Sequence, residues 1–140
     1  MQRLNHFNVN VFGPYYSGAN LRGANFVGAN LRGASFIGAN LKNANLSNCD
    51  LSNADLYLAE LNNANLTGAK LFGSELTRAK LMGANLAGCD LSSTDLTHAD
   101  LNEANLCGAK LPKSGMRGTD LRNANLSGVD FTICQTSLEL

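Results

Sequence analysis

The sequence predicts an all-β fold, a solenoid whose chain winds in stacked, four-sided coils. Three observations predict it. A large apolar residue recurs at every fifth position from Leu21 to Phe131. The residue two places after it is mostly Gly or Asn, and the residue just before it repeats by type at a spacing of 20.

The period of five sets the wall. Of 23 large apolar positions, 19 are Leu; the others are Phe26, Phe36, Met116 and Phe131. Two residues before each lies a small residue, Ala in 16 of the 23 cases, with Cys49, Ser74, Cys89, Thr94, Ser114, Thr119 and Val129 as the exceptions. An α-helix would carry such a pattern around its axis, and a simple strand would need a period of two. Residues two apart point the same way in an extended segment, so each Ala and its Leu face one interior. The same template fits further back, through Val9-Asn10-Val11-Phe12-Gly13 and then Tyr16.

The corner comes next. Two residues after each large position stand 11 Gly and 5 Asn, the types that tolerate positive φ, so the chain turns once per repeat.

Four repeats close one coil. One column of residues preceding the Leu reads Asn25, Asn45, Asn65, Asn85, Asn105, Asn125, although only nine of the 23 such positions are Asn. Another reads Asp50, Lys70, Asp90, Lys110, Asp130. Both regularities appear at a spacing of 20, which makes these residues vertical neighbours about 4.8 Å apart. The expectation is an amide ladder along the Asn column and vertical ion pairs along the other, since like charges directly opposite destabilise a sheet.

Ala19-Asn20-Leu21-Arg22-Gly23, Ala54-Asp55-Leu56-Tyr57-Leu58 and Ala124-Asn125-Leu126-Ser127-Gly128 bring out a resemblance. The chain resembles the pentapeptide-repeat family, whose template is A(D/N)LXX. The resemblance implies a right-handed quadrilateral parallel β-helix with four pentapeptide repeats per coil and the first and third repeat positions buried. About six to seven coils would make a rod of roughly 30 Å. The expected organisation is an N-terminal cap over residues 1–8, the β-helix over 9–135 and a C-terminal tail over 136–140. The weakest coil should contain Ser114-Gly115-Met116, where Gly and Met replace the usual pair. The last coil has little chain left to cover it, so a monomer or an end-to-end dimer is expected.

Composition excludes several function classes. Eleven Lys/Arg balance eleven Asp/Glu, which disfavours direct binding to nucleic acid. No stretch has the roughly 18 apolar residues of a membrane span, and no signal peptide is visible, so a cytoplasmic location is expected. Enzyme chemistry finds no support: His6 and His98 are the two histidines, and no Cys or Asp cluster has metal-ligand spacing. Neither a catalytic residue nor a cofactor or metal is expected. Recurrent GxxxxG follows from the repeat and lacks the Lys-Ser/Thr of a phosphate loop. Cys49 and Cys89, both at the small inward position and two coils apart, are roughly 10 Å from each other, too far for a disulfide.

A protein-binding or regulatory solenoid with an unidentified protein partner is therefore the expected function. The alternative comes from the resemblance, since some members of that family imitate duplex DNA and occupy type II topoisomerases as inhibitors or protectors. Zero net charge disfavours it, because mimicry needs a strongly negative rod. The partner site is expected where the corner pattern changes. Leu58, Arg78 and His98 replace Gly or Asn one coil apart, beside the acidic residues Asp55, Glu75 and Asp95, with Tyr57 between and Ile37 one coil earlier. That amphipathic mixture suits a protein interface. A turn type needing no positive φ accounts for the same switch without any partner, and on sequence grounds it is the simpler account.

Overall fold

The structure, a computed structural model, describes residues 15–113 and 115–130. Bridges link residues 20 apart, all parallel, beginning with Tyr15 to Ser35, Asn20 to Asn40, Asn25 to Asn45 and Asn30 to Asp50. They define four walls, one per repeat of the coil. Wall 1 carries the column from Asn20 to Asp120, wall 2 that from Asn25 to Asn125, wall 3 that from Asn30 to Asp130, and wall 4 that from Tyr15 through Ser35, Asp55, Glu75 and Asp95 to Gly115. No helix occurs among the described residues. The expected cap at 1–8 and tail at 136–140 lie outside them.

Each wall is held by the same two bonds per coil. Leu21 N–H donates to the Asn40 carbonyl at 2.7 Å, and Asn40 N–H donates back to the Ala19 carbonyl at 2.9 Å. Corners close by a bond from the next small residue, as from Ala24 N–H to the Leu21 carbonyl at 3.0 Å. The third residue of that turn, Gly23, has φ 68°, which with an ordinary second residue marks a type II turn. Corner residues also bond vertically, Gly23 N–H to the Lys42 carbonyl at 2.9 Å. The core is the stack of inward Ala and Leu, with Leu31, Leu46, Leu66 and Leu96 wholly buried. At the N-terminal end Tyr16 stacks on Phe36 at 5.0 Å, and both rings meet Phe26 edge-on. Inward polar residues satisfy themselves against backbone: Ser74 and Thr94 hydroxyls donate to the Leu71 and Leu91 carbonyls, and Thr119 to Leu96.

The regular corner series is interrupted where the sequence places the weakest coil. Among the described residues, the next left-handed one after Gly108 is Gly115 (φ 78°), at a wall position instead of a corner. A side chain there would press on the Thr94 carbonyl, at 3.0 Å from an added Cβ. The wall 4 bridges stop at Asp95, and an open cavity of about 500 Å³ lies between Ser92, Thr94 and Asp95 on one coil and Leu111, Pro112 and Lys113 on the next.

The polar columns stack as expected but bond otherwise. Among the described residues, Asp50, Lys70, Asp90 and Lys110 form no ion pair with one another within 4 Å. Asp50 accepts from Ser52 N–H at 3.0 Å and pairs with Arg32 at 3.4 Å; Asp90 accepts from Ser92 N–H at 2.9 Å. The backbone donor two residues ahead is fixed in place, whereas a flexible exposed Lys must be ordered to reach across the coil. The Asn column behaves alike. Each Oδ1 from Asn25 to Asn125 accepts its own corner's N–H, and Asn105 Nδ2 to Asn85 Oδ1, at 3.4 Å, is the one side-chain rung among the described residues.

Candidate functional site

Wall 4 brings the expected residues together. Bridges from Asp55 to Glu75 and from Glu75 to Asp95 put the three acids on consecutive coils. The corner leaving that wall carries Ile37, Tyr57 and Leu58, 39%, 37% and 45% exposed, then Arg78 and His98, both exposed. All eight residues therefore lie on one wall and its edge, spread over four successive coils.

The corner itself departs from the simpler account. Leu58, Arg78 and His98 have φ 57°, 58° and 58°, the same left-handed backbone as the Gly corners. The vertical bond dictates it: Leu58 N–H donates to the Thr77 carbonyl at 3.2 Å, Arg78 N–H to Thr97 and His98 N–H to Arg117, each at 2.9 Å, as Gly38 N–H does to Tyr57. No alternative turn type relieves these side chains. A residue with a Cβ in this region costs roughly 1–2 kcal/mol, and Asn, which tolerates it better, fills other corners. Below the run the coil makes room, for a Cβ at Gly118 would fall on the His98 ring.

The acids are each half-committed. One oxygen of Asp55 accepts from Tyr57 N–H at 3.0 Å, of Glu75 from Thr77 N–H at 2.7 Å and of Asp95 from Thr97 N–H at 2.9 Å. The four ion pairs among the described residues all lie on other walls: Arg32–Asp50, Lys42–Glu60, Lys80–Glu60 and Arg122–Asp120. Arg78, three residues past Glu75, is in none of them.

One residue of this surface escapes the sequence reading. Phe72 is 49% exposed at the corner that enters wall 4, three residues before Glu75. Its signal was legible as an aromatic flanked in its column by Ser52 and Ser92. Met82, 42% exposed, stands on wall 1 and is not part of the surface.

Other chemistry is sparse. Among the described residues no group of three or more His, Cys, Asp or Glu is placed to hold a metal ion, and no helix is long and apolar enough to cross a membrane. Cys49 and Cys89 are free and buried, and burial above all pushes both thiols up to about 12. Cys89 Sγ donates to the Leu66 carbonyl at 2.8 Å. Both are packing residues and poor nucleophiles.

The sequence signature of Pentapeptide repeats matches in eight copies, over residues 17–53, 49–88, 59–97, 74–111 and 99–132. The chain belongs to the pentapeptide-repeat family. Its four-walled coil is that family's right-handed quadrilateral β-helix. Two solved structures of QnrB1, a plasmid-mediated fluoroquinolone resistance protein, share the fold. The full-length form is 20% identical at a TM-score of 0.53, covering 91% of this chain and 81% of that one. A trypsin-treated single-substitution variant of QnrB1 is 21% identical at 0.55, covering 97% and 84%. HetL from the cyanobacterium Nostoc sp. strain PCC 7120, a pentapeptide-repeat protein involved in heterocyst differentiation regulation, is 33% identical at a TM-score of 0.47. That match covers 92% of this pentapeptide-repeat chain and 64% of HetL. No curated protein matches by sequence.

Proposed function

We propose that this pentapeptide-repeat chain is a non-catalytic, protein-binding solenoid of the cytoplasm, and that its partner docks on wall 4. Tyr57, Leu58 and Arg78 are the anchors; Asp55, Glu75 and Asp95 supply charge complementarity; Ile37 and His98 extend the contact at its two ends. The observation that carries the reading is the left-handed backbone at Leu58, Arg78 and His98 on three successive coils. Gly fits this conformation without strain; Ser93 and Glu103 hold it singly at other corners, whereas here it recurs on three successive coils beside exposed apolar groups, and such strain clusters at functional sites.

The DNA-mimic reading shares the fold and lacks the charge. Eleven Lys/Arg against eleven Asp/Glu give zero net charge, where a mimic of duplex DNA would be strongly negative along its length.

Affinity capture from native extract, followed by a binding constant with the purified partner, tests the docking face. Tyr57→Ala with Arg78→Ala should weaken binding at least tenfold while the far-UV spectrum stays unchanged. If Asn62→Ala with Asn102→Ala on wall 1 weakens it instead, the partner sits elsewhere.

A further inference from the structure

The unpartnered wall 4 specifies what kind of partner segment it fits. Its centre is a stripe of three carboxylates, bridged coil to coil, and exposed apolar groups stand at both edges among polar ones: Phe72 on the entering corner, Ile37, Tyr57 and Leu58 on the leaving one. Like charges stacked directly in a sheet repel one another. On other walls three acids are answered by cations within 4 Å, Asp50, Asp120 and Glu60, the last holding Lys42 at 2.9 Å and Lys80 at 3.2 Å. On wall 4 the second oxygen of each acid has neither hydrogen bond nor ion pair within the described residues. The stripe is a repulsive column left open beside exposed apolar groups.

Resting on the docking reading above, we infer that the occupant is a basic amphipathic helix of a protein partner, lying along the rod axis. Charge complementarity selects a basic segment, and spacing selects a helix. Successive acids rise about 4.8 Å per coil, so the three stand at about 0, 4.8 and 9.6 Å along the axis. Basic residues at i, i+3 and i+7 of an α-helix stand at about 0, 4.5 and 10.5 Å, within about 1 Å of every acid. Same-face residues of an extended strand stand at about 0, 6.7 and 13 Å and miss the third acid by more than 3 Å. The helix residues flanking the basic stripe would meet Phe72 on one side and Tyr57 and Leu58 on the other. Arg78 lies at that second edge and calls for a carboxylate or carbonyl on the helix there.

Two designed peptides of one composition test this by fluorescence anisotropy. One has a helix-forming sequence with Arg at i, i+3 and i+7 and Leu on either side. The other has the same residues reordered, with Arg at i, i+2 and i+4. The helix-spaced peptide should bind at least tenfold more tightly and lose that advantage in the triple variant Asp55→Asn, Glu75→Gln, Asp95→Asn. These isosteric changes keep the oxygen that accepts the corner N–H. The free triple variant should also melt higher than the parent, because the stacked charges are gone. Equal binding of the two peptides, no binding of either, or binding indifferent to the triple variant overturns the inference. So does a melting temperature that fails to rise. A natural partner lost with Tyr57→Ala and Arg78→Ala but unaffected by the triple variant would leave the docking reading standing and remove the basic helix.

Discussion

Arg78→Gly should make the free protein more stable. Arg78 is exposed, is in no ion pair within 4 Å among the described residues, and holds φ 58°. Relieving a Cβ in that conformation returns roughly 1–2 kcal/mol. The greater freedom of Gly in the unfolded chain takes back roughly 0.5–1 kcal/mol. The vertical bond from residue 78 N–H to the Thr97 carbonyl, 2.9 Å, is backbone and survives the change. The balance is a gain of about 0.5–1 kcal/mol, or roughly 2–6 °C in melting temperature for a domain of this size. Urea and thermal unfolding followed by circular dichroism measure it. Two reference variants calibrate the scale. Gly88→Ala, where an added Cβ meets nothing within 4 Å, should cost about 1 kcal/mol from backbone strain alone. Gly118→Ala should cost more, since its Cβ would fall on the His98 ring, and His98→Gly should remove the excess. The same Arg78→Gly protein should bind the partner more weakly, the trade of stability against function expected where strain is retained for a contact. If Arg78→Gly loses about 1 kcal/mol or more, beyond the entropic cost of a Gly in the unfolded chain, Arg78 is a structural residue of the rod and the strain argument fails.

The same structure sets four further outcomes. Leu71, 1% exposed at mid-rod, should cost about 2–5 kcal/mol as Leu71→Ala and more as Leu71→Lys; an unchanged melting temperature for the Lys variant would mean it is not inside. Hydrogen bonds from Lys42 and Lys80 to Glu60, from Ser92 to Asp90 and from Arg122 to Asp120 hold these carboxyls below the usual range, Asp120 at about 2. Depressed folded values add stability above the unfolded carboxyl range of about 4, so melting temperature should fall as pH drops from about 4 toward about 2; a flat profile there contradicts the pairs. A thiol reagent should label exposed Cys107 in the native protein and reach Cys49 and Cys89 only on unfolding, and rapid native labelling of either would place it outside the core. The purified chain should leave DNA gyrase supercoiling unaffected; strong inhibition that weakens with added salt would restore DNA mimicry.

The wall, the coil and their register are written in the periodicity alone. An inward Ala and Leu every five residues can be buried only if each repeat adds one side, and the Asn column at spacing 20 admits only four sides. The interruption near Gly115 was equally legible, since a broken template leaves no regular corner to form. Side-chain choices on the surface were not. Asp50, Asp90 and the Asn column had two sets of partners to choose between, and the finished corner set a backbone N–H about 3 Å away, ahead of any flexible Lys. The eight candidate residues could be placed on one wall from their numbers, but Phe72 joins them from a neighbouring repeat and becomes part of that surface only when the corner folds. The conformation at Leu58, Arg78 and His98 was likewise settled by the stacking of coils. Local preference would have moved these residues out of the left-handed region; the bond from each corner N–H to the coil below, repeated at 2.9–3.2 Å, holds them in it.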